Sequence, residues 1–287
     1  MYKMIHLILS ILFVSNLFAE QMEALIFDQP TVITVTNEQD DAFYQLYNKQ
    51  YKIALSKFDD LLKDNPFHLS ALTGKAKCLF ELGEINEAYN TYTIAYNLDS
   101  NNDAITEALG NCAFYLKDFN AAHDFFQKAL LEAPENPTLH ETLSKVYMCQ
   151  GRYNEAIKQA KVAKLYYDNS ELRAPSLLIL SYFAMAEIND LENQKTILKF
   201  IQSSKKESNW PYPILKFINK DLSDTQLLSQ VETLQQEIQA HTYIGLMKRS
   251  NKENLLGQAH FEWASSREHP VSYESLLSEF LLKTPRI

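Results

Sequence analysis

Apolar residues along this chain recur at spacings of three and four rather than at every second position, and that period predicts helices almost throughout. The stretch 103–134, DAITEALGNCAFYLKDFNAAHDFFQKALLEAP, shows it most plainly. Leu109, Gly110 and Phe114 precede a polar Lys117-Asp118 step, and Phe119, Ala122, Phe126 and Ala129 follow it. The pattern predicts two apolar-faced helices joined by a short turn, with Gly110, Ala122 and Ala129 where the helices must approach closely. A pair this short cannot bury its own apolar faces, so it needs a copy on either side.

The copies are present. Equivalent units start at Val35, Leu69, Asp103 and Pro137, each 34 residues from the last. Gly83, Ile85, Ala88, Tyr92 and Ala95 fill the matching slots of the second unit, and Leu143, Tyr147, Gly151, Tyr153, Ala156 and Ala163 those of the fourth. The first keeps Tyr51, Ala54, Phe58 and Pro66, with Asp41-Ala42 at the Leu-Gly pair. In period and pattern the region 35–170 resembles the tetratricopeptide repeat (TPR) family. The resemblance implies an all-α fold, a right-handed TPR superhelix (an α-solenoid) of stacked antiparallel helix pairs.

Outside the four units the signals change. Met1–Ala19 carries one cation, Lys3, an apolar run from Ile5 to Val14 and a Leu17-Phe18-Ala19 end, the layout of a secretory signal. The run is short for a bilayer span, and no apolar stretch near 18 residues follows it, so no stable membrane span is expected after signal removal. No Cys stands near the cleavage point to take a lipid. The expected location is outside the cytoplasm, periplasmic or secreted, with a bacterial envelope as the setting. The segment 20–34 contains Ala24-Leu25-Ile26-Phe27 and begins the β-branched run Thr31–Thr36, and it reads as extended. The region 171–287 reads as degenerate TPR-like helices. Pro175–Glu187 is apolar almost all round, as a helix covered on both sides must be. Its expected partner, 190–202, has Leu191, Ile197, Leu198 and Ile201 as its buried stripe. A further unit counted from Ile238 places Ile244-Gly245, Gly257, Phe261 and Ala264 on the family slots, and Tyr273–Leu282 is expected to cap the exposed end of the stack. From Asn209 to Ala264, the Trp210-Pro211-Tyr212-Pro213 step, a short helix and a TPR unit resemble the C-terminal half of bacterial TPR envelope proteins, some of which act as adaptors.

Charge and chemistry narrow the function. A formal charge of −9 and a pI near 5.3 argue against a nucleic-acid partner, which needs a basic stripe. Three cysteines, Cys78, Cys112 and Cys149, form no disulfide framework, and Cys78 and Cys112 share one repeat slot that packs helix on helix. Seven histidines are scattered with no zinc-type spacing, and His140 stands in a slot the family often gives to Trp, a packed position. No phosphate loop, nucleophile elbow or Cys-His signature appears. The expectation is therefore no cofactor, no metal site and no enzyme.

What remains is the inner surface. In the TPR family, inner-wall positions on each leading helix line a concave groove. Carried over, they are Gln39, Phe43, Leu46 and Tyr47, then Thr73, Lys77, Phe80 and Glu81, then Glu107, Asn111, Phe114 and Tyr115, then Glu141, Lys145, Met148 and Cys149. The places of the family's carboxylate clamp hold Gln39, Phe43, Gly74, Ala104 and Ala108, so that clamp is not expected. Phe43, Tyr47, Phe80, Asn111, Phe114, Tyr115 and Met148 are the candidate partner-binding residues. Packing against the next repeat is the alternative role for Phe80, Phe114 and Tyr115, whereas Tyr47 and Tyr115 are expected to be exposed in the groove. An aromatic, weakly charged wall suits an extended or helical apolar peptide of a protein partner. Two roles fit: a scaffold or adaptor with one partner, or a carrier or assembly chaperone for exported polypeptides.

Overall fold

The computed structural model describes residues 38–167, 174–203, 208–267 and 271–284. The expected signal, 1–19, and the extended segment, 20–34, lie outside the described residues. Those residues form fifteen helices and no strand. Four pairs open the chain: α1 (Glu38–Tyr47) with α2 (Tyr51–Asp64), α3 (Leu69–Leu82) with α4 (Ile85–Leu98), α5 (Asp103–Tyr115) with α6 (Phe119–Glu132), and α7 (Pro137–Cys149) with α8 (Tyr153–Tyr166). After them come α9 (Ala174–Glu187), α10 (Leu191–Ser203), α11 (Tyr212–Ile218), α12 (Asp224–Leu228), α13 (Leu234–Ser250), α14 (Asn254–Ser265) and α15 (Tyr273–Lys283).

Local chemistry sets the period. The residue before each of three leading helices caps it: His68, Asn102 and Asn136 accept from backbone N–H groups of the first turn. Each leading helix ends at a left-handed residue 34 positions from the last, with φ of 60° at Lys49, 85° at Gly83, 66° at Lys117 and 70° at Gly151. At two of these four places a lysine adopts a conformation that favours glycine. The repeat geometry imposes the turn there against local preference.

Within each pair a small residue on the leading helix faces the next helix. Ala42, Ala76 and Ser144 are fully buried in that slot, and Gly110 and Gly245 fill it elsewhere. A Cβ added to Gly110 would lie 2.8 Å from the Phe126 ring, and one added to Gly245 would lie 2.6 Å from Phe261. Phe58, Phe126 and Phe261 are buried to 1% exposure or less, each worth about 1.5–3 kcal/mol of transfer free energy. Cys78, Cys112 and Cys149 are free and buried, and burial pushes the Cys78 thiol up to about 11 and Cys112 up to about 12. They act as small apolar fillers, as expected.

Helix α9 is covered by α7, α8, α10, α11 and α13, which explains its apolar surface all round. Its partner α10 differs from expectation at one end. Leu191 points to solvent at 62% exposure, and Gln194 is the buried residue, its amide Nε2 donating to the Tyr182 carbonyl at 3.5 Å. The larger difference is α15. Instead of capping the end of the stack, it packs against α13, α14 and α7, turning back onto the leading helices of the third and fourth units.

Candidate functional site

The leading helices α1, α3, α5 and α7 supply the inner-wall residues, and these fall into two regions. Tyr47 at the first end is 84% exposed. Next to it along the wall, Phe43 is half-buried with its edge on the Phe58 ring, 5.0 Å between centroids. Phe80 is half-buried, packed edge-on against Tyr115 at 5.7 Å. Lys77 Nζ lies 5.5 Å from the centre of that Phe80 ring and 2.7 Å from Glu81 Oε1. Asn111 is also half-buried. Burial raises the Glu107 carboxyl, with the nearby Lys77 charge opposing the shift. This stretch, from Tyr47 to Asn111, is an open strip of aromatic rings edged by one lysine and two glutamates.

The other region is filled by the chain itself. Phe114 is 2% exposed and Met148 1%. The Phe114 ring contacts Tyr115 (5.2 Å), Phe119 (5.7 Å) and, stacked at 6.4 Å, Tyr273 of α15. Lys145 Nζ sits 5.9 Å from the Tyr273 ring centre while pairing with Glu141 at 2.8 Å. Lys117 pairs with Glu279 at 2.5 Å. Two of the seven candidate residues, Phe114 and Met148, therefore lie beneath packed structure and not on an accessible wall. Tyr115 is half-buried between Phe80 and Phe114, not exposed as expected, because α15 closes that side.

A polar network holds α15 in place. The fully enclosed Glu274 carboxylate accepts hydrogen bonds from Gln239 Nε2 (2.9 Å), Gln235 Nε2 (3.0 Å) and Tyr243 Oη (3.3 Å). Burial still raises its carboxyl above the ordinary range, with Lys145 as the largest opposing influence. Thr242 Oγ1 and Ser278 Oγ share a hydrogen bond at 2.9 Å. Arg249 donates to the Leu281 carbonyl (3.2 Å) and pairs with Glu187 (3.2 Å), both side chains nearly inaccessible. A buried polar cluster with this many satisfied partners favours one arrangement.

Of the scattered histidines, His140 is packed: Nε2 donates to the Pro134 carbonyl at 2.9 Å, Nδ1 meets the Gln159 amide at 2.6 Å, and the ring stacks on Tyr166. Sequence spacing separates His241 from His260, yet the fold brings their Nδ1 atoms within 3.0 Å. Among the described residues no group of three or more His, Cys, Asp or Glu forms a metal cluster, and no helix is long and apolar enough to cross a membrane.

The architecture defines a helical-repeat solenoid. Residues 113–174 match the Tetratricopeptide repeat family profile, and residues 47–129 match that of Anaphase-promoting complex, cyclosome, subunit 3. The chain belongs to the tetratricopeptide repeat family, whose members bind protein partners. It is similar to General transcriptional corepressor trfA of Dictyostelium discoideum, 32% identical over 40% of this chain and 8% of that protein. It is also similar to Hsp70-Hsp90 organizing protein 3 of Arabidopsis thaliana, 23% identical over 48% of this chain and 24% of that protein. The chain thus spans no more than a quarter of either relative. A tetratricopeptide repeat protein from Parabacteroides merdae shares the fold with a TM-score of 0.60 over 85% of this chain and 96% of its own, at 15% identity.

Proposed function

We propose that this chain is an exported interaction scaffold that holds a peptide or helix of a protein partner along the open strip from Tyr47 to Asn111. The observation that supports the reading is the 84% exposure of Tyr47 beside half-buried Phe43 and Phe80, in a wall whose other half is already filled. An exposed aromatic ring on a rigid helix gives large contact area at low entropic cost, and such anchors dominate binding energy. The clamp places hold Gln39, Phe43, Gly74, Ala104 and Ala108, so recognition of a C-terminal carboxylate is not part of the proposal. The scaffold has no enzymatic role. Export rests on the layout of residues 1–19, and an envelope adaptor role on the resemblance of 209–264.

The test is a pull-down from the envelope fraction with wild type, Tyr47→Ala and Phe80→Ala. One stoichiometric partner lost in both variants supports the scaffold, with affinity falling about thirtyfold for an anchor worth roughly 2 kcal/mol. A heterogeneous client set with the same dependence supports the carrier. Undiminished capture by both variants sinks the open-strip reading, and an intact Met1 on cytoplasmic protein sinks export.

A further inference from the structure

The helix pair α13 and α14 carries a feature that partner binding does not use. His241 on α13 and His260 on α14 are 19 residues apart, and their Nδ1 atoms meet at 3.0 Å. Their ring centres are 4.9 Å apart and their planes are inclined at 46°. The His241 ring lies on Trp263, 3.9 Å between centres and 13° between planes, with the Arg267 guanidinium 4.3 Å from the Trp263 ring. Both imidazoles are half-buried, so water reaches them.

The charges around the pair keep it neutral. Burial, the partner ring and Arg267 hold His241 down at about 4. Burial also lowers His260, with Asp224 opposing and Lys248 assisting. Asp224 is itself engaged by Lys248 at 2.9 Å, and Glu253 completes that group at 3.4 Å. At neutral pH both rings are therefore uncharged imidazoles, the form that ligates metals.

We infer that His241 and His260 form a two-imidazole site for a divalent transition-metal ion of the tetragonal, nitrogen-preferring kind, copper(II) or nickel(II). Two nitrogens 3.0 Å apart, each about 2.0–2.1 Å from a common ion, subtend roughly 90°. That is the angle between neighbouring ligands in square-planar or octahedral coordination, not in the tetrahedron zinc prefers. Water fills the remaining positions, since Asp224 is held by Lys248. In the free protein one Nδ1 carries the proton it donates to the other. Metal binding places both protons on the Nε2 atoms through solvent, with no net proton release at neutral pH. Trp263 fixes the His241 ring beforehand, which lowers the entropy lost on chelation.

The test uses the full chain titrated with copper(II) and nickel(II), followed by Trp fluorescence, thermal melting and copper EPR. Wild type should bind one copper ion per chain, lose the Trp263 share of its emission, show two-nitrogen splitting and melt at higher temperature when loaded. His241→Asn and His260→Gln should each weaken binding at least about tenfold, the scale at which even supporting groups act on metal sites. His123→Asn, remote from the pair, should bind as wild type does. Melting curves of the metal-free variants establish that they fold, and a misfolded variant leaves wild-type EPR and stoichiometry as the deciding data. Equal copper affinity in wild type and both folded variants, EPR without two nitrogens, or a wild-type melting point unmoved by metal would overturn the assignment.

Discussion

The first and fourth leading helices occupy the same place in the same repeat, yet one wall is open and the other is closed. At the open end Tyr47 is 84% exposed; at the closed end Met148 and Cys149 are each 1% exposed under the returning C-terminal region. The repeat itself does not produce the difference. Phe80 and Phe114 stand 34 residues apart in the same slot, one half-buried and the other 2% exposed. What distinguishes them is Tyr273, which stacks on Phe114 and has no counterpart over Phe80. A solenoid wall is a potential binding surface only where the chain has not bound itself.

The comparison breaks most visibly at that slot. Phe114→Ala should lower the unfolding free energy by about 3–5 kcal/mol, because it empties a packed site that cannot collapse. Phe80→Ala should cost less than half as much, since its ring has less surface to lose. Urea unfolding of both variants measures the gap. Equal losses would show that α15 does not cover Phe114, and the division of the wall into two regions would fail.

A second test sharpens the comparison by striking the repeat core that both regions share. Ala122 is fully buried on α6, in the slot that lets α6 approach α5. Ala122→Leu should cost about 1–3 kcal/mol by overpacking. A melting temperature unchanged by this substitution would contradict the register on which both halves of the wall are laid out.

The repeat was legible because each unit carries its own evidence: a small residue, a turn and an aromatic at fixed offsets, four times over. The expected pair turns near Lys49, Gly83, Lys117 and Gly151 all appear, since the period alone locates them. The placement of α15 was not legible. Helical periodicity reports which face of 273–283 is apolar, not which surface covers it, and its contacts with Phe114, Lys117 and Lys145 span more than a hundred residues. For that reason the expectations for Phe114, Tyr115 and Met148 as accessible residues differ from the structure, while Tyr47, beyond the reach of α15, is exposed as expected. Leu191 and Gln194 show the same limit within one turn of α10. The His241–His260 contact was equally hidden, because a spacing of 19 matches no metal motif and acquires meaning only when two helices pair.

The smallest expected effect separates the two regions by their carboxylates. Burial raises both Glu274, in the closed half, and Glu107, in the open half. A carboxyl whose folded value is raised binds its proton more readily in the folded state than in the unfolded one. Its contribution therefore disfavours folding above the raised value and disappears as pH falls through it toward the ordinary carboxylate range. Glu274→Gln and Glu107→Gln each remove that contribution. The stability of each variant relative to wild type should be most favourable near pH 7 and decline between pH 7 and pH 4. The Glu274 difference carries a further loss that does not depend on pH, because Gln235, Gln239 and Tyr243 all donate to its carboxylate and a neutral amide accepts less well. Glu107→Gln carries no comparable network loss and should yield the cleaner pH signal. Urea unfolding of the three proteins across this range decides the matter. A Glu107 difference that is flat with pH, or that grows on acidification, would mean that its carboxyl is not desolvated in the free protein and that the strip beside Tyr47 is wetter than its aromatic lining implies.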